Sequence, residues 1–288
     1  MSPLTAYRRL FGLTGPTYVV VAFLARLPLA MGQLGTLLLI TGTTGSYAAG
    51  GASAGALAVA NAVGAPLWGG WADRFGQHKV VAFQSLTASA ALAALLITAN
   101  SALPWAWSAV ASAVAGFLLP QIGPMARVRW RPITSRTGGQ QSRLVDTAFS
   151  YEGAADEASF VLGPALLGVA ISIANPTAAL AFAAVLLAIF GTSFALHDSA
   201  RLAHAATSAT DGEPGRLVTP ALIALCMSQF VIGTVFGSVQ TGTSVLATSA
   251  GQPGLTGYFH ALLGVGSVVA GLSMAAVPER FALPDRLV

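Results

Sequence analysis

Charge is what this sequence has least of. Only 8% of its 288 residues are Asp, Glu, Lys or Arg, against about 25% in an ordinary soluble domain. A fold so poor in charge has too little polar surface to cover itself in water, which excludes a soluble globule. Cysteine is nearly absent too. Cys226 stands alone, so no intrachain disulfide can form and no redox compartment is implied. Histidine occurs only at 78, 197, 204 and 260. There is no Cys/His cluster for zinc, no Gly-x-Ser-x-Gly elbow and no phosphate loop of the Gly-x4-Gly-Lys-Ser/Thr type. No enzyme activity, metal or cofactor is expected from such a chain. The alternating pattern of a membrane β-barrel is missing as well.

What the chain has instead is long apolar runs, with 55% hydrophobic residues and a mean hydropathy of +0.71. A bilayer core of about 30 Å needs about 20 mostly apolar residues in a helix. Helices satisfy their own backbone hydrogen bonds in lipid. Eight such runs are expected, at roughly 18–40, 49–72, 80–98, 105–126, 145–174, 177–196, 219–248 and 255–277. The expected fold class is an all-α membrane protein, a polytopic bundle of eight transmembrane helices. Arg8 and Arg9 precede the first run as in a signal sequence. That run is too long for a signal h-region, and no cleavage is expected.

The basic residues orient the bundle. Arg8, Arg9, Arg74, Lys79, Arg127, Arg129, Arg131, Arg136, Arg143, Arg201, Arg216, Arg280 and Arg286 all fall at the N-terminus or after even-numbered runs. They are 13 of the 14 basic residues, and the connections after odd-numbered runs hold none. The positive-inside rule makes their side cytoplasmic, with both termini inside an inner or plasma membrane. Charge spread over separate loops serves topology, so nucleic acid is not an expected partner. The tract Arg127–Arg143 is expected on the inner membrane surface, near acidic lipid.

Residues 198–218 differ in kind. Arg201, His204, Asp211, Glu213 and Arg216 lie there among Ala, Ser and Thr. The expected organisation is a six-helix half over residues 1–197, a cytoplasmic linker over 198–218 and an incomplete two-helix half over 219–288. Gly55, Gly64 and Gly69 each precede Gly257, Gly266 and Gly271 by 202 residues. That spacing fits two related halves.

One charged turn interrupts the early apolar runs. Gly69-x-x-x-Asp73-Arg74-x-Gly76-x-x-Lys79 resembles the signature loop between the second and third helices of the major facilitator superfamily. It departs from that signature at Trp71, Gln77 and His78. Gly163-Pro164 with Gly168 resembles the Gly-Pro-rich motif of the family's antiporters. The resemblance implies two halves of six helices and alternating access. It also implies a gating role for Gly69, Asp73, Arg74, Gly76 and Lys79. The family has twelve spans and this sequence runs to eight, so a truncated member is expected. In the family the loop meets the eleventh helix, which lies beyond this sequence. From loop chemistry alone, a topology anchor with solvated charge is an equal alternative.

Four residues stand out as a coupling site. Arg26 lies in the first run, roughly 13 Å deep at 1.5 Å per residue, where an unpaired guanidinium is strongly unfavourable. The only acids in apolar runs are in the fifth. Asp146 is near its cytoplasmic end; Glu152 and Asp156 share a helix face; Glu157 follows. Arg26 is expected to pair with Asp156 or Glu157, and Glu152 is read as interfacial or as part of the same site. Carboxylates held in such surroundings are candidates for taking up and releasing a proton. A permanent structural salt bridge is the plainer alternative. Gly163 and Pro164 are expected to bend the helix. Gln33, Asn61, Gln121, Gln229, Gln240 and His260 either line a path or cross-link helices. The expected function is proton-coupled efflux of a small organic solute, with protons, solute and bilayer as partners. Proton-coupled uptake of a metabolite, or a fragment unable to transport, are the alternatives.

Overall fold

A computed structural model describes residues 3–207 and 219–274. Among the described residues the chain is helical, with no strand. The helices are α1 (Pro3–Leu24), α2 (Leu27–Thr44), α3 (Tyr47–Phe75), α4 (Gln77–Ala99), α5 (Trp105–Leu118) and α6 (Ile122–Thr134). Then come α7 (Gln141–Ile173), α8 (Pro176–Leu186), α9 (Thr192–Leu196), α10 (Ser199–Thr207), α11 (Pro220–Ser249) and α12 (Leu255–Met274). Six helical runs among the described residues are long and apolar enough to cross a membrane: Thr5–Thr44, Tyr47–Phe75, Gln77–Ala99, Trp105–Ile173, Pro176–Leu196 and Leu222–Ser249. Three of these join more than one helix. Straight, Trp105–Ile173 would measure about 100 Å, more than three bilayer cores.

The breaks have local causes. Pro28 has no N–H for the Leu24 carbonyl, and the helix is interrupted between Leu24 and Leu27. Gly76 alone separates α3 from α4, at φ 93° and ψ 135°, a conformation side chains resist. α5 ends just before Pro120. A short 3-10 segment, Ser135–Gln140, turns the chain at Gly138. There α6 and α7 fold into an antiparallel hairpin, with Trp130 on Glu152 and Arg127 on Asp156. A π-helical turn at Leu187–Gly191 joins α8 to α9.

Side chains cap the helix starts. Ser46 accepts from the Ala49 N–H at 3.2 Å, and Asn175, ahead of Pro176, accepts from that of Ala178 at 2.8 Å. Both satisfy donors that have no partner inside the helix.

Two apolar clusters form the core. One contains Leu34, Leu38, Leu92 and Leu180; the other contains Leu10, Tyr18, Trp130 and Phe194. Helices α3 and α5 pack closest. A Cβ on Gly64 or Gly116 would overlap the backbone of Phe117 or Leu57, the small-residue contact that apolar helices use. Gly69 and Gly70 make no such contact, with nothing within 4 Å of a Cβ built there.

The polar segment after α9 is not wholly extended linker. Its start, α10, is a helix packed on α6 and α4. Residues 208–218, with Arg216, lie outside the described residues, as do Arg280, Arg286 and the end of the last apolar run. Helix α11 is exposed from Leu222 to Val239, while α12 packs along α7. The backbone of α7 stays helical through Pro164.

Candidate functional site

Arg26 closes the gap between α1 and α2, where the chain departs from regular helix. Its guanidinium is anchored on three sides. Nη1 donates to the Ala22 carbonyl at 3.0 Å, Nε donates to Asp156 Oδ1 at 2.9 Å and Nη2 donates to Glu152 Oε2. Glu152 is fully buried and Arg26 is 4% exposed. The second Glu152 oxygen accepts from Trp130 Nε1 at 2.6 Å, and the second Asp156 oxygen accepts from Arg127 Nη2 at 2.5 Å. Two arginines thus balance two carboxylates. A buried pair is tolerable only when its remaining lone pairs and protons find partners, and here every carboxylate oxygen has one.

The α6–α7 hairpin sets this register. Glu152 and Asp156 are four apart on α7 and share a face. Gly123 on α6 makes room for Asp156, since a Cβ there would lie 2.7 Å from Oδ1. Arg26 meets Asp156, as the sequence suggests, but its other partner is Glu152 and not Glu157. Glu157 is exposed on α7 and makes no ion pair among the described residues. One residue further along, a helix turns about 100°, enough to carry Glu157 off the shared face. Asp146 is also exposed, as a helix-end charge should be. Arg127 and Trp130 do not stand out in the sequence, because they sit in a basic tract that reads as surface.

Beside this network lies a helix break with its own polar support. The carbonyls freed near Pro120 are all taken by side chains. Asn61 Nδ2 donates to Gly116 and Leu119, Trp68 Nε1 to Phe117 at 2.8 Å and Gln84 Nε2 to Leu118 at 3.3 Å. Gln121 Nε2 in turn donates to Asn61 Oδ1 at 2.8 Å. Asn61 and Gln121 therefore cross-link α3 to the break.

A second buried guanidinium, that of Arg129, has no carboxylate partner among the described residues. It donates to Gln77 Oε1, the Phe194 carbonyl and Ser199 Oγ, and its Cζ lies 3.6 Å over the Phe194 ring. It ties the α3–α4 turn to the start of α10. Ser199 also engages His197, whose Nδ1 lies 3.0 Å from the hydroxyl and accepts the Ser199 N–H at 3.3 Å. Burial, then the Arg129 charge, holds His197 below the ordinary histidine value of 6.5.

The signature-like turn is otherwise open. Asp73, Arg74 and Lys79 are exposed and make no ion pair among the described residues. Asp73 sits in the last turn of α3, not at a helix N-terminus. Arg74 lies 5.4 Å from the centroid of the Phe75 ring. Gly163 and Gly168 act as contact points. A Cβ on Gly163 would come within 2.7 Å of Ala30 Cβ, and one on Gly168 within 2.7 Å of the Gly254 carbonyl.

Two cavities lie along one face of α2. The smaller, about 120 Å³, is bordered by Arg26, Gln121, Gly123, Asp156 and Ser159. The larger, about 620 Å³, opens between α2, α3 and α11, with Gln33, Gly51, Gly55, Thr234, Gln240 and Thr241 on its walls. No charged residue lines it. Arg26 and Gln33 are seven residues apart, two turns or about 10 Å along the helix. His260 takes no part in either cavity; its Nε2 lies 2.8 Å from Thr243 Oγ1, joining α11 to α12.

No family model and no curated protein matches this chain.

Proposed function

We propose that this chain is a proton-coupled secondary transporter of the major facilitator type, exporting a small organic solute from the cell by alternating access. Eight crossings, cytoplasmic termini and a plasma-membrane location belong to this reading. The observation that carries it is the balanced Arg26–Glu152–Asp156–Arg127 network, with Asp156 facing a cavity. Ionisable groups set among apolar helices are costly, and those that face a cavity mark ion or substrate pathways. Asp156 is the proton-accepting group. Glu152, sealed and held by Trp130, keeps Arg26 in place. The larger cavity, polar but uncharged, is where the solute binds. The signature-like turn and the Gly163/Gly168 contacts on α7 support the family reading.

The test is solute-linked proton flux in sealed proteoliposomes. An imposed pH gradient should drive solute movement opposite to the protons, and D156N should abolish it. Flux in the same direction as protons would make it an uptake system. No solute-linked flux with any candidate solute would sink the transport reading for this chain. The exposed face of α11 favours a second reading, in which these residues transport only with further helices packed on them. Restoration of flux by a version extended with further spans would favour that one.

A further inference from the structure

The cavity between α2, α3 and α11 is shaped for a particular kind of occupant. At about 620 Å³ it falls within the size range of small-molecule sites. Glycines keep it open. A Cβ on Gly51 or Gly55 of α3, or on Gly233, Gly237 or Gly242 of α11, would meet nothing within 4 Å. Unlike Gly64 and Gly116, none of these is needed for a close approach of helices.

The polar groups on its walls are of two kinds. On α11, the Thr234, Ser238 and Thr241 hydroxyls have already committed their protons. They donate to the carbonyls of Phe230, Thr234 and Gly237 at 2.8, 2.8 and 2.9 Å. A hydroxyl bound in this way keeps its lone pairs and can only accept. The three stand four and three residues apart, so they share one face of the helix over about 10 Å. The second kind is the amides of Gln33 on α2 and Gln240 on α11, the only lining side chains with N–H groups to give. Neither amide has a hydrogen-bond partner among the described residues.

Charge is missing from these walls. No charged side chain among the described residues lines the cavity. Helix α2 carries none beyond Arg26 at its start, and Arg26 is engaged by Glu152 and Asp156. An ion entering here would lose its water and find no counter-charge. A carboxylate fares worst, because the hydroxyl row sets lone pairs against its own.

We propose that the solute is neutral and polyhydroxylated, held by the Gln33 and Gln240 amides and by the hydroxyl row of α11. This rests on the larger cavity being the solute site. A single amide or ring N–H would answer one of the three wall hydroxyls. A chain of hydroxyls answers all three as a donor and accepts from the two amides. An apolar solute would leave those groups unpaired, and affinity would suffer. Gln33 and Gln240 are the specificity-determining residues.

The experiment is titration calorimetry on the full chain in lipid nanodiscs at neutral pH. Three probes share one six-carbon polyol skeleton and differ in charge: sorbitol is neutral, gluconate negative and glucamine positive. A hexanediol is neutral but lacks most of the hydroxyls. Sorbitol should bind roughly tenfold or more tightly than the other three. G55L and G237L, which fill the cavity from opposite walls without a clash, should each abolish sorbitol binding and leave Tm close to that of the parent. Q240E supplies the counter-charge the cavity lacks, so it should turn the preference toward glucamine. Absence of sorbitol binding, equal binding of any other probe, or sorbitol binding that survives both glycine substitutions would overturn the proposal. The readout needs no transport. Sorbitol binding without any solute-linked proton flux defeats the transport reading alone. Proton-linked flux of a charged solute, with no sorbitol binding, defeats this proposal alone.

Discussion

Arg26 and Glu152 are tied to each other so closely that neither can be removed alone. Replacing Arg26 by Gln leaves Glu152 as a fully buried carboxylate with only the Trp130 indole to hold it. Breaking a buried pair on one side costs about 3–5 kcal/mol, so R26Q should unfold at markedly lower temperature in detergent. Removing both charges with R26L/E152L should cost much less than the two single changes together, because no buried charge is then stranded. His197 gives a prediction of a different kind. Its neutral form is built in, with Nδ1 accepting from Ser199 and Arg129 nearby. A folded-state value lowered below 6.5 means that the unfolded chain binds the proton more readily. The resulting stability is present above pH 6.5 and is lost as pH falls through the lowered value. H197Q should flatten that part of a pH–stability profile, and a profile unchanged by the substitution would refute the assignment.

At the level of elements, the break between α5 and α6 is the feature most exposed to a single change. Its carbonyls from Gly116 to Leu119 are held by three side chains on two other helices. An orphaned buried carbonyl costs about 1–3 kcal/mol. N61L strands the Leu119 carbonyl, leaves that of Gly116 with only the Leu119 N–H at 3.3 Å and releases Gln121, so it should destabilise more than Q84L, which strands one. Denaturant or thermal unfolding ranks the two, and equal costs would show that water replaces Asn61. The closeness of α3 and α5 is similarly specific. G116L should force the helices apart and abolish correct folding, whereas G70L, which meets nothing within 4 Å, should be well tolerated.

At the scale of the whole molecule, basic residues and apolar runs make a topological prediction. In a C226S background, K79C should react with an impermeant maleimide only when the cytoplasmic face is accessible. S101C, between α4 and α5, should react from the opposite face. Labelling of both from one side would defeat the positive-inside assignment.

How much was legible beforehand follows from the kind of interaction involved. Membrane residence, helical structure and the positions of the longer helices follow from composition and run length, which are local properties. The need of Arg26 for an acid was also legible, because the cost of burying a lone guanidinium does not depend on the details of the fold. The choice of acid was not. Counting depth along α7 placed Glu152 near an interface, but burial there is decided by what packs against the helix, and α1 and α6 cover Glu152 completely. Pro28 and Pro120 were visible signals of the two helix breaks. Arg127, Arg129 and Trp130 gave no such signal, since a basic tract looks the same whether it faces lipid headgroups or folds inward.

By itself, then, the sequence determined the solvent this chain lives in, the helical form of its backbone and the demand for a buried counter-charge, all of which rest on the free energy of placing single groups in an apolar medium. The tertiary structure decided that Arg26 is shared between Glu152 and Asp156, that Arg127 holds the second Asp156 oxygen, and that the signature-like turn holds an open Asp73. Those outcomes depend on the hairpin register of α6 and α7 and on a glycine-sized gap at Gly123, which exist only when residues about thirty positions apart are brought together.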